Sequence, residues 1–115
     1  MDLDNKVALV TGGGTGIGRA TCLALAKRRV TVAVNYAHSK NDAEETVLMI
    51  ENAGGHAIAV QANVSQDEEV RAMVDTIVQQ FGTVHLLVNN AGTTRHIQSL
   101  SFLYMGVCSL QTNHL

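Results

Sequence analysis

Four short runs of this chain, 6–10, 30–34, 56–60 and 84–88, are apolar on both faces, and that repeated feature narrows its fold more than any other. A strand alternates its side chains between two faces, so a run apolar on both must be covered on both, as in a parallel sheet between helices. Three stretches of helical spacing separate the runs. Residues 17–28 are rich in Ala and Leu and apolar nearly all round, which predicts a deeply buried helix. Residues 41–52 put Ala43, Val47 and Ile50 on one face, with Gly54-Gly55 as the stop. Residues 66–81 align Val70, Met73, Val74, Ile77, Val78 and Phe81 in one stripe. Ser65 and Glu68 predict a capping box at its start, and Gly82 follows its end.

The expected element order is therefore β-α-β-α-β-α-β. Right-handed crossovers turn it into an α/β fold, a Rossmann-type doubly wound parallel sheet cut down to about four strands and three helices. The expected strand order is 3-2-1-4, counted by appearance. Residues 1–97 are expected to form this partial Rossmann-type domain, and 98–115 a divergent C-terminal tail with no clean period. One side of the 84–88 strand then lacks a partner. Unpaired N–H and C=O groups on an apolar strand predict marginal stability and self-association through the uncovered edge.

Bulk properties remove several function classes. With 46% hydrophobic and 16% charged residues, the chain has the material for a core. Its net charge of -2, without a long run of one sign, argues against nucleic acid or an anionic membrane as partner. The apolar stretch 100–110 is interrupted by Ser101, Gly106 and Ser109 and is too short to span a bilayer. The acidic start Met1-Asp2-Leu3-Asp4 lacks the layout of a secretory signal. Cys22 and Cys108 stand in no metal or redox spacing, and His56, His85, His96 and His114 in no ligand spacing. A reduced, cytoplasmic protein without a metal site is the expectation.

The residues that carry chemistry begin with Thr11-Gly12-Gly13-Gly14-Thr15-Gly16-Ile17-Gly18-Arg19, which joins the first strand to the first helix. Glycines there allow tight turns and let a ligand approach the main chain. The helix start adds free N–H groups and the positive end of its dipole, which together make a site for a pyrophosphate. The spacing is T-G-x-x-x-G-x-G, with Gly12, Gly16 and Gly18 fixed, and does not fit G-x-G-x-x-G.

This loop resembles the cofactor loop of the short-chain dehydrogenase/reductase family. Asn89-Asn90-Ala91-Gly92 after the fourth run and Asn63-Val64 after the third are similar to two more family motifs, the latter usually Asp-Val. All three fall at strand C-termini, where open α/β sheets bind ligands. The resemblance extends over about residues 6–95, and its texture is similar to the β-ketoacyl-carrier-protein reductases. It implies cofactor contacts from Gly12, Gly14, Thr15, Gly16, Ile17 and Gly18, then Asn35, Tyr36, His38 and Ser39, and then Asn63, Val64, Asn90, Ala91 and Gly92. NAD-preferring members carry a carboxylate at the end of the second strand. Here Asn35-Tyr36-Ala37-His38-Ser39-Lys40 has none, and Ser39, Lys40 and His38 suit a 2′-phosphate, so NADP is expected and NAD less so. Ser39 also suits an N-cap. Asn63 stands where the family accepts a hydrogen bond from the adenine amino group, and its amide oxygen can still accept. Arg29 stands where the family commonly closes the first helix with Gly.

The resemblance implies a carbonyl/alcohol oxidoreductase in which a Tyr, lowered in pKa by a Lys four residues later, supplies the proton, with a Ser and an Asn assisting. No such set follows the Asn-Asn-Ala-Gly motif in these 115 residues. Tyr36 and Lys40 satisfy the string but lie at the adenosine end, and Asn113 lacks the family context. No catalytic residue is therefore assigned, and the chain is expected to hold the cofactor-binding half without turnover of its own. A non-catalytic NADP(H)-binding or interaction isoform is the alternative. A methyltransferase-like α/β protein is disfavoured by the Asn-Asn-Ala-Gly motif.

Overall fold

A computed structural model of the protein describes residues 3–90 and 108–111. Its elements follow the expected alternation: β1 (Val7–Thr11), α1 (Gly16–Lys27), β2 (Thr31–Tyr36), α2 (Lys40–Asn52), β3 (Ala57–Gln61), α3 (Asp67–Phe81), β4 (Leu86–Asn89) and β5 (Cys108–Gln111). All described strand pairs are parallel, and the order is β3-β2-β1-β4-β5. This is the Rossmann-type arrangement, with each expected element shifted by only a residue or two.

The sheet departs from expectation at one edge. β4 does not end bare, because β5 pairs with it from Leu86↔Cys108 to Asn89↔Gln111. The sheet thus has five strands rather than about four, and the edge expected to drive self-association is occupied. The fifth strand comes from the tail that showed no period. A four-residue strand fits barely two repeats of an alternating pattern, too few to register.

β1 lies at the centre of the sheet and is buried along its whole length. Its two faces feed two layers. Val7 and Leu9 join Val70, Met73, Val74 and Ile77 of α3 on one side. Ala8 and Val10 join Cys22 of α1 and Ala43 and Ile50 of α2 on the other. Fully burying a Leu, Ile or Val contributes roughly 1.5–3 kcal/mol each, so this core supplies much of the driving force. α1 is less deeply buried than its composition suggests, with only Gly18 and Cys22 fully covered. Its alanines raise helix propensity without calling for burial.

The helix ends show local chemistry at work. α2 stops at Gly54 (φ 93), where Gly54 N–H bonds Glu51 O and Gly55 N–H bonds Ile50 O. α1 ends in the same way without a glycine. Arg29 takes φ 63, its N–H donates to Ala26 O, and Val30 N–H donates to Leu25 O. This is the Schellman arrangement, and its left-handed position normally belongs to Gly. At the start of α3 the expected capping box is absent. Gln66 is the N-cap and makes no side-chain cap bond. Ser65 instead turns back, its N–H and hydroxyl both donating to Asn63 Oδ1. The local Asn turn outcompetes the helix start for the Ser hydroxyl.

Replacing Arg29 by Gly relieves the left-handed strain, because its charge is exposed and only loosely paired with Asp4 at 4.0 Å. Chemical denaturation of the R29G chain should show stability raised by about 1 kcal/mol. An unchanged or lowered midpoint would show that this backbone position is not strained.

Candidate functional site

The loops after β1, β2, β3 and β4 leave one edge of the sheet because the four strands are parallel, and the residues singled out by sequence meet there. Gly12 and Gly16 adopt positive φ, 63 and 57. The direction a Gly16 β-carbon would take is open space, with nothing within 4 Å. α1 begins at Gly16, so the N–H groups of Gly16, Ile17 and Gly18 have no intrahelical acceptor. Its N-cap, Thr15, makes no side-chain cap bond, and its first turn holds no acidic residue. The first turns of α2 and α3 do carry carboxylates. Thr15, Gly16 and Ile17 are exposed, Ile17 at 48%. The loop therefore presents main-chain donors, a positive dipole end and one apolar side chain to solvent, a set that suits an anion.

The turn is tight enough to demand glycine at position 18, where a β-carbon would overlap the Gly12 carbonyl oxygen and stand 2.7 Å from Asn90 Nδ2. Three braces hold it. The first joins β1 to β4: Thr11 Oγ1 donates to Asn89 Oδ1 at 2.9 Å and accepts from Asn90 N–H at 2.9 Å, and Asn90 Nδ2 donates to Gly12 O at 3.1 Å. The second is Asn35, only 2% exposed. Its Oδ1 accepts from Gly12 N–H at 3.4 Å and its Nδ2 donates to Ala62 O at 3.1 Å and Val60 O at 3.3 Å. Gly13 N–H adds a bond to Asn35 O. The third joins loop to α2: Thr46 Oγ1 lies 3.1 Å from Gly14 O, and Arg19 Nε donates to Thr46 Oγ1 at 2.9 Å. Arg19 also donates to Asp42 O and pairs with Glu45 at 3.0 Å.

The sequence-expected residues thus divide by what their side chains do. Asn35 and Asn90 are spent on bracing the loop, the Gly14 carbonyl serves Thr46, and Val64 packs against the core. Thr15, Gly16, Ile17, His38 and Ser39 face outward, and Gly12, Gly18 and half-buried Tyr36 complete the rim. Ser39 is the N-cap of α2 but makes no side-chain cap bond, which leaves its hydroxyl available. Asn63 sits just past β3, next to β2, since Ala62 N–H bonds Tyr36 O. Ala91, Gly92 and Asn113 lie outside the described residues. Thr11, Asn89, Arg19 and Thr46 were not among the expected site residues. Thr11 and Asn89 are members of the two motifs and Arg19 closes the quoted glycine segment, whereas Thr46 carried no signal. Tyr36 ends a strand while Lys40 opens a helix, so the Tyr-x-x-x-Lys string is not one helical pair.

Under the loop lies Cys22, its Sγ 3.8 Å from Gly13 O. Burial pushes its thiol up to about 12, with the hydrogen bond opposing weakly. At the other end of the sheet His85 does structural work, its Nδ1 accepting Val7 N–H at 3.0 Å. Among the described residues no cluster of His, Cys, Asp and Glu could hold a metal, and no helix is long and apolar enough to cross a membrane.

Comparison with known proteins fits this geometry. The family model for short chain dehydrogenases matches residues 6–104. The chain belongs to the short-chain dehydrogenase family. The match runs past residue 95, where the resemblance legible in the motifs stops. A Bacillus subtilis short-chain dehydrogenase/reductase homolog, YusS, is 59% identical over 97 residues, 84% of this chain and 89% of the relative. A 3-oxoacyl-acyl-carrier-protein reductase of Staphylococcus epidermidis is 52% identical over 91 residues, 79% of this chain. This short-chain dehydrogenase chain spans only 37% of that reductase. Among solved structures, a Burkholderia cenocepacia short chain dehydrogenase in complex with NADP aligns with a TM-score of 0.75 and 43% identity, covering 83% of this chain and 39% of that one. A Serratia marcescens short-chain dehydrogenase/reductase aligns with a TM-score of 0.76 and 38% identity, covering 81% and 38%.

Two outcomes follow from the site's geometry. Asn35→Ala leaves the Gly12 amide and the Ala62 carbonyl without their partners and should lower stability by roughly 1–3 kcal/mol, read from urea unfolding. A change within error would show that the brace is dispensable. Cys22 ionises in the unfolded chain near its ordinary value of 9.0 but in the folded chain only near 12. Its contribution to stability is therefore complete below pH 9 and lost as pH rises from 9 towards 12. In a Cys108→Ser chain at pH 8, a thiol reagent should label Cys22 only as fast as the protein unfolds.

Proposed function

We propose that these 115 residues form an NADP(H)-binding module, the nucleotide-binding half of a carbonyl/alcohol oxidoreductase. The observation that carries this reading is the uncapped, carboxylate-free start of α1, directed at an open edge and locked by three independent braces. Main-chain N–H groups of Gly16, Ile17 and Gly18 would hold the diphosphate. Fixed beforehand, they need no reordering when the anion arrives.

The 2′-phosphate reading rests on the β2–α2 junction. No carboxylate stands between Asn35 and Lys40, and His38, Ser39 and Lys40 are all exposed there. A carboxylate at this point would favour ribose hydroxyls and repel a phosphate. The solved relative in complex with NADP supports the same choice. When bound, the nicotinamide would supply or accept a hydride. This chain's own residues would grip, orient and select the dinucleotide.

Among the described residues none is assigned as a proton donor to the nicotinamide. Tyr36 and Lys40 stand at the β2–α2 junction, on the adenosine side. Acid–base assistance is worth about 10²–10⁴ in rate, so the chain taken alone should bind without measurable turnover. A binding or interaction role apart from catalysis is the second reading, favoured by YusS, a relative of nearly the same length.

Titration of NADPH should enhance its fluorescence on binding, free of tryptophan background because the chain has no Trp. Gly18→Ala, which forces the loop apart, should abolish the enhancement. A folded chain that gives no signal with NADPH overturns the reading, and tighter binding of NADH than NADPH overturns the phosphate assignment.

A further inference from the structure

A cavity of about 530 Å³ lies at the opposite edge of the sheet from the glycine loop, where β2 and β3 begin and α1 and α2 end. That volume suits a small molecule. Asn5, Lys27, Arg29, Thr31, Gly54 and His56 are in its lining, and among the described residues no Asp or Glu is. Lys27 has no ion-pair partner among the described residues. Arg29 meets Asp4 only at 4.0 Å, with both side chains more than half exposed. The lining thus carries two cations and an imidazole with little nearby to neutralise them.

Helix-end chemistry alone does not account for this charge. A cation in the last turn offsets the negative end of a helix dipole, and Lys27 does so for α1. Arg29 lies beyond that turn and takes φ 63, a conformation strained for any residue with a β-carbon. α2 makes the same turn with Gly54 and has no basic residue in its last turn, so neither the turn nor the dipole calls for an Arg. Asn5 is the other non-glycine residue at positive φ among those described, and its N–H donates to Arg29 O at 3.1 Å. Both left-handed side-chain-bearing residues therefore line one cavity, and such strain gathers at ligand sites. The helix-end carbonyls that would oppose an anion are engaged. Leu25 O and Ala26 O accept from Val30 and Arg29 N–H, and Ile50 O and Glu51 O accept from Gly55 and Gly54 N–H.

We propose that this cavity binds a small polyanion of the diphosphate class. Arg29 grips it with paired N–H donors that match two phosphate oxygens, and Lys27 adds a point charge. His56 and Asn5 contribute neutral donors. The strained backbone at Arg29 is what sets that charge at the cavity. α1 has 12 residues, so its two ends stand about 18 Å apart. The site is therefore separate from the glycine loop and does not depend on the dinucleotide reading.

Inorganic pyrophosphate titrated into the isotope-labelled full chain at constant ionic strength tests this, with backbone amide shifts followed by NMR. The amides of Arg29, Thr31, Gly54 and His56 should shift and saturate together. Arg29→Gly should weaken this binding about tenfold, the size of one charge-assisted hydrogen bond, while raising the unfolding midpoint. An Arg with a merely structural role would lose stability instead. Lys27→Gln, at an exposed position whose change leaves the fold intact, should weaken binding severalfold. Shifts that never saturate, or an unchanged affinity in either variant, overturn the inference. Shifts confined to residues 12–18 overturn it too, and leave the dinucleotide site standing.

Discussion

The structure depends on the desolvation of β1. Its five residues are buried on both faces, so none of its peptide groups can turn to water, and each must find a partner in β2 or β4. The partners run parallel in register with it, and their C-termini therefore leave the sheet on the same side. Glycine loop, β2–α2 junction, Asn63 and Asn90 are neighbours for that reason alone. Chain connectivity keeps them far apart, and a buried central strand brings them together.

Once that edge exists, its loops need fixing, and the protein does this with buried neutral side chains rather than charges. Asn35, Thr11 with Asn89 and Asn90, and Thr46 bond the main chain around Gly12 and Gly14. A neutral amide can satisfy donors and acceptors at once without the desolvation cost of an ion. It also leaves the mouth of α1 uncompensated, so the field of the helix start stays available for an incoming anion. Arg19 is the exception, and its charge is spent on Thr46, Asp42 O and Glu45, away from the helix mouth.

Strain and stability are distributed accordingly. Among the described residues two that are not glycine take positive φ, Asn5 and Arg29, and Arg29, whose longer side chain tolerates it less well than Asn, lies at the far end of α1 from the site. The neighbouring helix end uses Gly54 for the same geometry without penalty. Core burial on both faces of the sheet outweighs a cost of this size, so a left-handed Arg persists.

Much of the architecture was legible in the order of residues. Runs apolar on both faces located β1 to β4, the stripe of Val70 to Phe81 located α3, and Gly12, Gly16 and Gly18 located the glycine loop between strand and helix. Those features arise from backbone sterics and short-range periodicity, which act within a few residues. Tertiary structure alone decided the rest. It paired β5 with β4, moved Ser65 from an expected helix cap onto Asn63, bonded Asn35 and Asn90 to the main chain of the glycine loop, and recruited Arg19 and Thr46. Hydrogen-bond partners such as Asn90 and Gly12 stand 78 positions apart. Local spacing holds no record of them, because they exist only once the sheet has closed around β1.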